Sequence, residues 1–518
     1  MAETASPRTS PSPSHLPLSR FVIVAILAIS TVLSGLVITS ESYWIEEAHS
    51  LIVATAPDSG EAWKYAQAVG APTLQMPLYQ SYLYLWHKVI GGDEWSMRAS
   101  NIPWFILAQL AFLLVLRRSP RLALTACLLA LISPPLWIYL SETRPYLMQF
   151  AAGCWLSAGL VRLSSEDKTR FSPRLVAALA SAAIVLFASS LTGVLWVSAF
   201  AMAFAWLIFR QDGLEGMNTA KTWIVLLLSV FFLNTFLIYY VFTLVGFGSG
   251  YHGSGASVLS VPYILYEMLG FSGYGPGRLE MRQNPISTVL SSYATLLPLG
   301  LCLLLLAIFA LRKGRQRTIR LDAKVAWILA LALPAGALVL GFTFLDFRSL
   351  PHHFIPALPI LLLALASLIL LALETKTRFW GAVAISLPVL WLGSSLNLRW
   401  QEAHAKDDYR TAAAIAAAAL VQNKEVWWAA DPAAAFIYLT PVSFEDVPGR
   451  VWAMQGADWN DIRFKLPPRV IIISKPDIFD PKQAIIRYAA ENHFTPALRL
   501  PAFTILTRPD DPLPIALP

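Results

Sequence analysis

Charge is scarce in this chain. Of its 518 residues, 14% are Asp, Glu, Lys or Arg and 56% are hydrophobic, whereas a soluble globular chain carries roughly 25% charged residues. That shortage excludes an ordinary soluble domain. The net charge of +7 calls for no nucleic-acid partner, because in a multi-pass membrane chain Lys and Arg collect in cytoplasmic loops. Cysteine is scarcer still. Cys127, Cys154 and Cys302 all lie inside apolar runs, with no CxxC or Cys/His spacing, which argues against a disulfide framework or a zinc site. There is no Walker A sequence. The glycine-rich stretches are not set between a strand and a helix, as a dinucleotide site requires.

Long apolar runs are abundant instead. Crossing a ~30 Å hydrocarbon core takes about 20 residues as a helix. About eleven runs qualify, near 21–40, 100–116, 122–141, 145–163, 174–191, 192–209, 222–246, 287–311, 324–345, 354–373 and 379–396. Residues 1–20, rich in Pro and Ser, read as a disordered cytoplasmic tail. The first run reads as an uncleaved signal anchor. With the N-terminus in the cytoplasm, alternate short loops carry the basic residues: Arg117, Arg118 and Arg121, then Arg162 to Arg174, Arg210 and Lys221, RKGRQRTIRLDAK at 312–324, and Lys376 with Arg378. That is the positive-inside pattern. It places two large loops, 41–99 and 247–286, and residues 397–518 on the opposite face.

Three domains follow: the tail 1–20, a membrane domain 21–396, and an extramembrane domain 397–518. In the last, QEAHAKDDYRTAAAIAAAALVQ reads as an exposed helix and EVWWAA, RVIIIS and AFTILT as strands, giving a small α/β fold. In the second large loop, GFGSGYHGSG and GFSGYGPGR suit a flexible connection or a lid that orders over a substrate.

Ionisable residues are costly in a bilayer, about 2.5–3.5 kcal/mol each on insertion scales. Here they gather where runs meet the non-cytoplasmic face: Glu46 and Glu47 after the first run, Glu142 and Arg144 between the third and fourth, and Arg348, His352 and His353 before the tenth. Each has a plainer explanation. An acidic pair in a first helical turn complements the helix dipole. The aromatic set Tyr43, Trp44, Tyr79, Tyr82, Tyr84 and Trp86 suits an interfacial belt. The shared side and depth of these groups is what points to a site. Carboxylate, guanidinium and aromatic rings at a lipid boundary suit sugar transfer from a lipid-linked phosphate. The acceptor hydroxyl needs a carboxylate base, and the departing phosphate needs cations, with Arg the best fork for its oxygens.

Several motifs carry a resemblance in order along the chain. They are YWIEEAHSL, LQMPLYQSYLYLWHKVIG followed by MRASNIPWF, SPPLWIYLSETRPYLMQF, PHHFIPALP and DDYRTAAAIAA. The chain resembles the polytopic GT-C glycosyltransferases, in the branch of protein O-mannosyltransferases, lipid A aminoarabinose transferases and lipopolysaccharide-core sugar transferases. The resemblance implies a GT-C type α-helical fold of about 11 transmembrane helices with a small α/β periplasmic domain. It further implies inverting transfer from a polyprenyl-phosphate sugar to a lipid, glycolipid or protein acceptor at the periplasmic face of a bacterial inner membrane. Glu46 matches the family's catalytic Asp, Glu47 the Glu that pairs with an Arg, and Arg144 that Arg. Tyr79, Gln75 and Tyr146 fall on substrate-binding positions. Arg98 opens the second run and, with Arg348, His352 and His353, is expected at the donor phosphate. The chain departs from the family at three places: Glu46 replaces Asp, Gln75 and Met76 replace the more usual His and Pro, and His352 stands where many members have Arg. No bound cofactor is implied. Glu46-Glu47 lacks a DxD-like spacing, and a single divalent metal stays open. A transporter or flippase, and a non-catalytic envelope assembly protein, are the alternatives. The first is disfavoured by the lack of charge in mid-span and of an inverted repeat.

Overall fold

The computed structural model describes residues 19–165, 172–210, 220–247, 260–283, 285–314, 321–344, 349–375, 377–443, 451–462, 466–511 and 513. Among these, eight helices are long and apolar enough to cross a membrane, or nine if a bent pair counts as one. This is a polytopic α-helical membrane protein with a small carboxyl-terminal β-sheet domain. Two of the eleven expected runs do not reach the same standard. The helix Tyr146–Ser165 is built of Gly, Ser, Gln and Ala as much as of large apolar residues, and most of it is buried among other helices. Pro173–Ser189 is only 17 residues long. A helix surrounded by protein needs small residues for close approach more than it needs hydropathy. The helix through Trp223–Thr243 is the opposite case. Only 6% of its window is buried, leaving Leu227, Phe231, Ile238 and Phe242 exposed for lipid.

The first helix, α1 (Arg20–Val37), leads through an extended segment to α2 (Ile45–Ala54). Two proline-directed breaks shape the region beneath α2. Ser133-Pro134-Pro135 bends the third run by 58°, because proline lacks an N–H and clashes with the preceding turn. The freed end at 139–142 is satisfied by Asn101, whose Nδ2 donates to the carbonyls of Tyr139 (3.2 Å), Leu140 (3.1 Å) and Glu142 (2.7 Å). The second break is the 3₁₀ turn Pro351–Ala357. It lies against the helix Tyr146–Ser165 at Gly153, where a Cβ would stand 2.9 Å from the Pro356 carbonyl.

The carboxyl-terminal domain carries a six-stranded sheet in the order β2-β3-β1-β4-β6-β5. β1 (Val426–Ala429), β2 (Val442–Ser443), β3 (Val451–Ala453) and β4 (Val470–Ser474) run parallel, while β5 (Thr495–Leu500) and β6 (Phe503–Thr507) are antiparallel. The three apolar runs expected as strands are β1, β4 and β6. β1 is apolar throughout, and β4 and β6 are interrupted only by Ser474, Thr504 and Thr507, because both faces are covered: Val426, Trp428 and Ile472 point into one core, Trp427, Ala429 and Ile471 into the other. The helix expected to be exposed runs Tyr409–Val421 and is half-buried, with Tyr409, Ala412, Ile415 and Ala416 packed on the sheet. Its alanines let it approach closely.

Residues 248–259 of the second large loop, including GSGYHGSG, lie outside the described residues, as do Arg348 and most of the amino-terminal tail. Residues 260–283 are packed. A Cβ at Gly273 would lie 1.8 Å from the Ser394 carbonyl and one at Gly277 1.8 Å from that of Ala403. Those glycines serve close backbone approach, and they bring Glu267 and Arg278 to the same face as α2.

Candidate active site

α2 begins where the chain turns out of an extended Trp44, and its first turn carries Glu46 and Glu47. Adjacent positions on a helix point about 100° apart, so the two carboxylates enter different surroundings. Glu47 turns inward and is wholly buried. Its Oε1 accepts from Arg98 Nε (2.8 Å), Thr143 N (2.8 Å) and Thr143 Oγ1 (3.3 Å). Its Oε2 accepts from Arg98 Nη2 (2.7 Å), Lys406 Nζ (2.9 Å) and Trp44 N (3.4 Å). Burial by itself would raise the pKa of this carboxyl. Arg98 and Lys406 overcome that and hold it at about 2. The lysine bears the reverse burden: burial and the neighbouring Arg98 bring it down to about 8, against the pull of Glu47 and Glu142.

This arrangement corrects two expectations. Glu47 pairs with Arg98, not with Arg144. And Arg98 is not open to a donor phosphate: all five of its N–H groups are used, on both Glu47 oxygens and on the carbonyls of Thr39, Glu41 and Ser42, and it is fully buried. A guanidinium has no further donor to offer.

Glu46 turns the other way and keeps 29% of its side chain exposed. Its Oε2 accepts from the Tyr146 hydroxyl at 3.0 Å and lies 3.6 Å from Arg144 Nε. Arg144 is anchored from its other end, donating from Nη1 to Ser50 Oγ (3.0 Å) and to the Glu46 carbonyl (3.2 Å). Its Nε–H has no hydrogen-bond acceptor among the described residues. The Tyr146 ring stacks on His352 at 4.8 Å between centroids, and His352 meets His353 edge-on at 4.4 Å. His353 Nδ1 accepts from the Leu350 amide, which ties it into the start of its own helical turn. The structure thus assembles Glu46, Arg144, Tyr146 and His352 in one line and sets Glu47 and Arg98 behind them. Tyr79 is fully buried; burial raises its hydroxyl pKa, with Arg144 acting against this. Gln75 contributes its carbonyl to Leu191 N at 3.0 Å, a backbone role that its identity does not determine.

A second charged group borders the first. Glu142 and Glu267 are both buried. Arg278 Nη1 donates to Glu142 at 2.7 Å, and Arg278 Nη2 lies 3.6 Å from Glu267. Glu267 also accepts from the hydroxyls of Tyr139 and Tyr263. Burial raises the Glu142 pKa, opposed by Arg278 and Lys406. Arg278 itself is 42% exposed and sits over the Trp44 ring, so it reaches solvent next to α2. Lys406, Thr143 and Glu267 were not anticipated from the sequence. Glu267 had a signal, as the lone acid in the apolar stretch SVPYILYEMLG. Lys406 had none.

No family model matches the chain, and no curated protein sequence does. Solved structures are similar to it, among them these three. ArnT from Cupriavidus metallidurans in the apo state is 14% identical, with a TM-score of 0.46, over 93% of this chain and 97% of that one. The same protein bound to undecaprenyl phosphate is 13% identical, with a TM-score of 0.44, over 94% and 98%. The arabinofuranosyltransferase AftD from Mycobacteria is 14% identical, with a TM-score of 0.43, over 95% of this chain and 40% of that one.

Proposed function

We propose that this chain is a GT-C type glycosyltransferase that moves a sugar from a polyprenyl-phosphate donor to an envelope acceptor at the periplasmic face of a bacterial inner membrane. The observation that carries the reading is the division of labour between two adjacent carboxylates. Glu47 has every oxygen lone pair occupied and is sealed from solvent, which suits a structural pin. Glu46 is partly exposed, oriented by Tyr146, and beside a buried guanidinium, which suits a base that must meet an incoming hydroxyl.

In this mechanism the acceptor hydroxyl gives its proton to Glu46 as its oxygen attacks the anomeric carbon. The bond from that carbon to the phosphate oxygen breaks on the opposite side, so configuration inverts and the polyprenyl phosphate leaves as an anion. No general acid is needed, in contrast with glycoside hydrolysis. Cations near the breaking bond stabilise the charge that develops. Arg144 and His352 line the Glu46 side, and Arg278 stands next to it; Arg348 is a further candidate outside the described residues. The acceptor is a lipid, a glycolipid such as lipopolysaccharide, or a protein.

The test is turnover of a radiolabelled polyprenyl-phosphate sugar pool by the purified protein in liposomes, paired with mass spectrometry of envelope glycolipids from a deletion strain. Consumption of donor with a matching mass loss in the deletion strain is the expected result. A normal glycolipid profile together with inert protein would leave the transporter and assembly readings standing instead.

A further inference from the structure

In an open sheet of parallel strands, ligands bind in the crevice beyond the carboxyl ends of the strands, where the strand order reverses. In the carboxyl-terminal domain that reversal falls at β1. The chain leaves β1 through the helix Pro432–Ile437 to β2 and β3 on one side, then crosses to β4 on the other. The crevice is filled by the protein's own α2. Ile45 packs against the cores on both faces of the sheet and so lies at its rim. Ala48 is fully buried in one of those cores. His49 Nε2 lies 3.4 Å from Oδ2 of Asp431, which follows the end of β1 and caps the next helix. Just upstream, Tyr43 N donates to the Tyr438 hydroxyl (2.8 Å) and Arg410 N donates to Ser42 Oγ (3.0 Å).

The opposite flank of α2 is tied by Lys406, in the segment that leads from the last membrane helix into the domain. Its ammonium donates to Glu47 at 2.9 Å and to the Ser141 carbonyl. Arg98 already makes a two-pronged contact with Glu47, so the pin's charge is compensated without the lysine. What Lys406 adds, beside the Thr143 and Arg144 contacts, is a further tie between α2 and the 141–144 loop that carries Arg144. The two elements that frame Glu46 are thereby fixed to each other.

We infer that the carboxyl-terminal domain is a clamp on α2, its sheet crevice occupied by the chain's own helix, with Lys406 and Asp431 as positioning residues for Glu46. The inference rests on the transferase reading for what α2 does, though not for how it is held. Lys406 acts through Glu47 and Asp431 through His49; neither touches the reacting atoms. Misplacing a reacting group by about 1 Å costs ~10²-fold in rate.

The experiment uses the full chain in liposomes with a polyprenyl-phosphate sugar pool as probe, and follows hydrogen–deuterium exchange of α2 in parallel. Lys406→Met and Asp431→Asn are expected to lower kcat by ~10²-fold, since the loss is one of geometry, with donor KM little changed. They should speed exchange in residues 45–54 and leave Tyr146–Ser165 as slow as before. Lys406→Cys alkylated with 2-bromoethylamine should regain most of the turnover, and the same preparation treated with iodoacetamide should not; the native cysteines are all buried. This arm compares one folded sample with itself, so it holds even where Lys406→Met folds poorly. Unchanged kcat and unchanged α2 exchange in both variants would overturn the clamp, as would equal rescue by the two reagents. A wild-type chain with no turnover would sink the transferase reading and leave the exchange measurement to judge the clamp.

Discussion

Replacing Arg98 by methionine keeps most of the side chain's volume and removes its charge. Glu47 then stays buried with Lys406 as its remaining cation, and the carbonyls of Thr39, Glu41 and Ser42 lose their donor. The magnitude follows from Glu47. Its carboxyl ionises at about 2, against 4.5 when unperturbed; at 1.36 kcal/mol per unit the ionised form stabilises the fold by about 3 kcal/mol. Breaking a buried pair by removing one partner costs a similar ~3–5 kcal/mol. Arg98→Met is therefore expected to lower the unfolding free energy by ~3–5 kcal/mol at neutral pH, measured by SDS titration in mixed micelles. Because the folded pKa is depressed, the Glu47 contribution is complete above its ordinary value of 4.5 and is lost as pH falls toward about 2. Wild type should lose stability across that window, and Glu47→Gln should lose less. In a double-mutant cycle the Arg98→Met and Glu47→Gln effects should fall short of their sum by ~2 kcal/mol or more, since residues in contact couple by 0.5–3 kcal/mol. Additivity of that cycle, with the coupling appearing between Arg144 and Glu47 instead, would refute the pairing.

Four further outcomes are expected. Glu46→Gln should cost ~10²–10⁴-fold in turnover, the range of a lost general base, with little change in stability because the side chain is partly exposed; full activity would remove Glu46 as the base. Glu46→Asp should be impaired if the site is spaced for the longer side chain, and a steady-state comparison with wild type decides this. Arg278→Ala should destabilise by ~1–3 kcal/mol by stranding the buried Glu142 carboxylate, and Glu142→Gln in that background should restore most of the loss; no rescue would show that the two do not depend on each other. A reporter fused after Trp400 should be active only in its periplasm-dependent form, and a cytoplasmic signal would dismantle the shared-face arrangement.

Much was legible in the residues alone. Apolar runs marked most of the membrane helices, and charge patterning put α2, the 141–146 loop and the PHHFIPA turn on one face. EVWWAA, RVIIIS and AFTILT were readable as strands because a short run buried on both faces is near-continuously apolar. SYWIEEAHS displayed two carboxylates at a helix start, and the motif resemblance singled out Glu46, Arg144 and Tyr146, which the fold brings together.

Tertiary structure decided which cation each carboxylate met. Glu47 is paired with a guanidinium 51 residues away and an ammonium 359 residues away, and a lone Lys406 in a polar linker carries no periodicity that could announce its partner. The glycines of GFSGYGPGR read as a loop, yet Gly273 and Gly277 permit backbone contact with the last membrane helix and the linker beyond it. Hydropathy and helix-start chemistry act over a few residues and are written locally. Ion pairing in a buried site depends on distance and on which groups are withdrawn from water together, and only the packed chain fixes those.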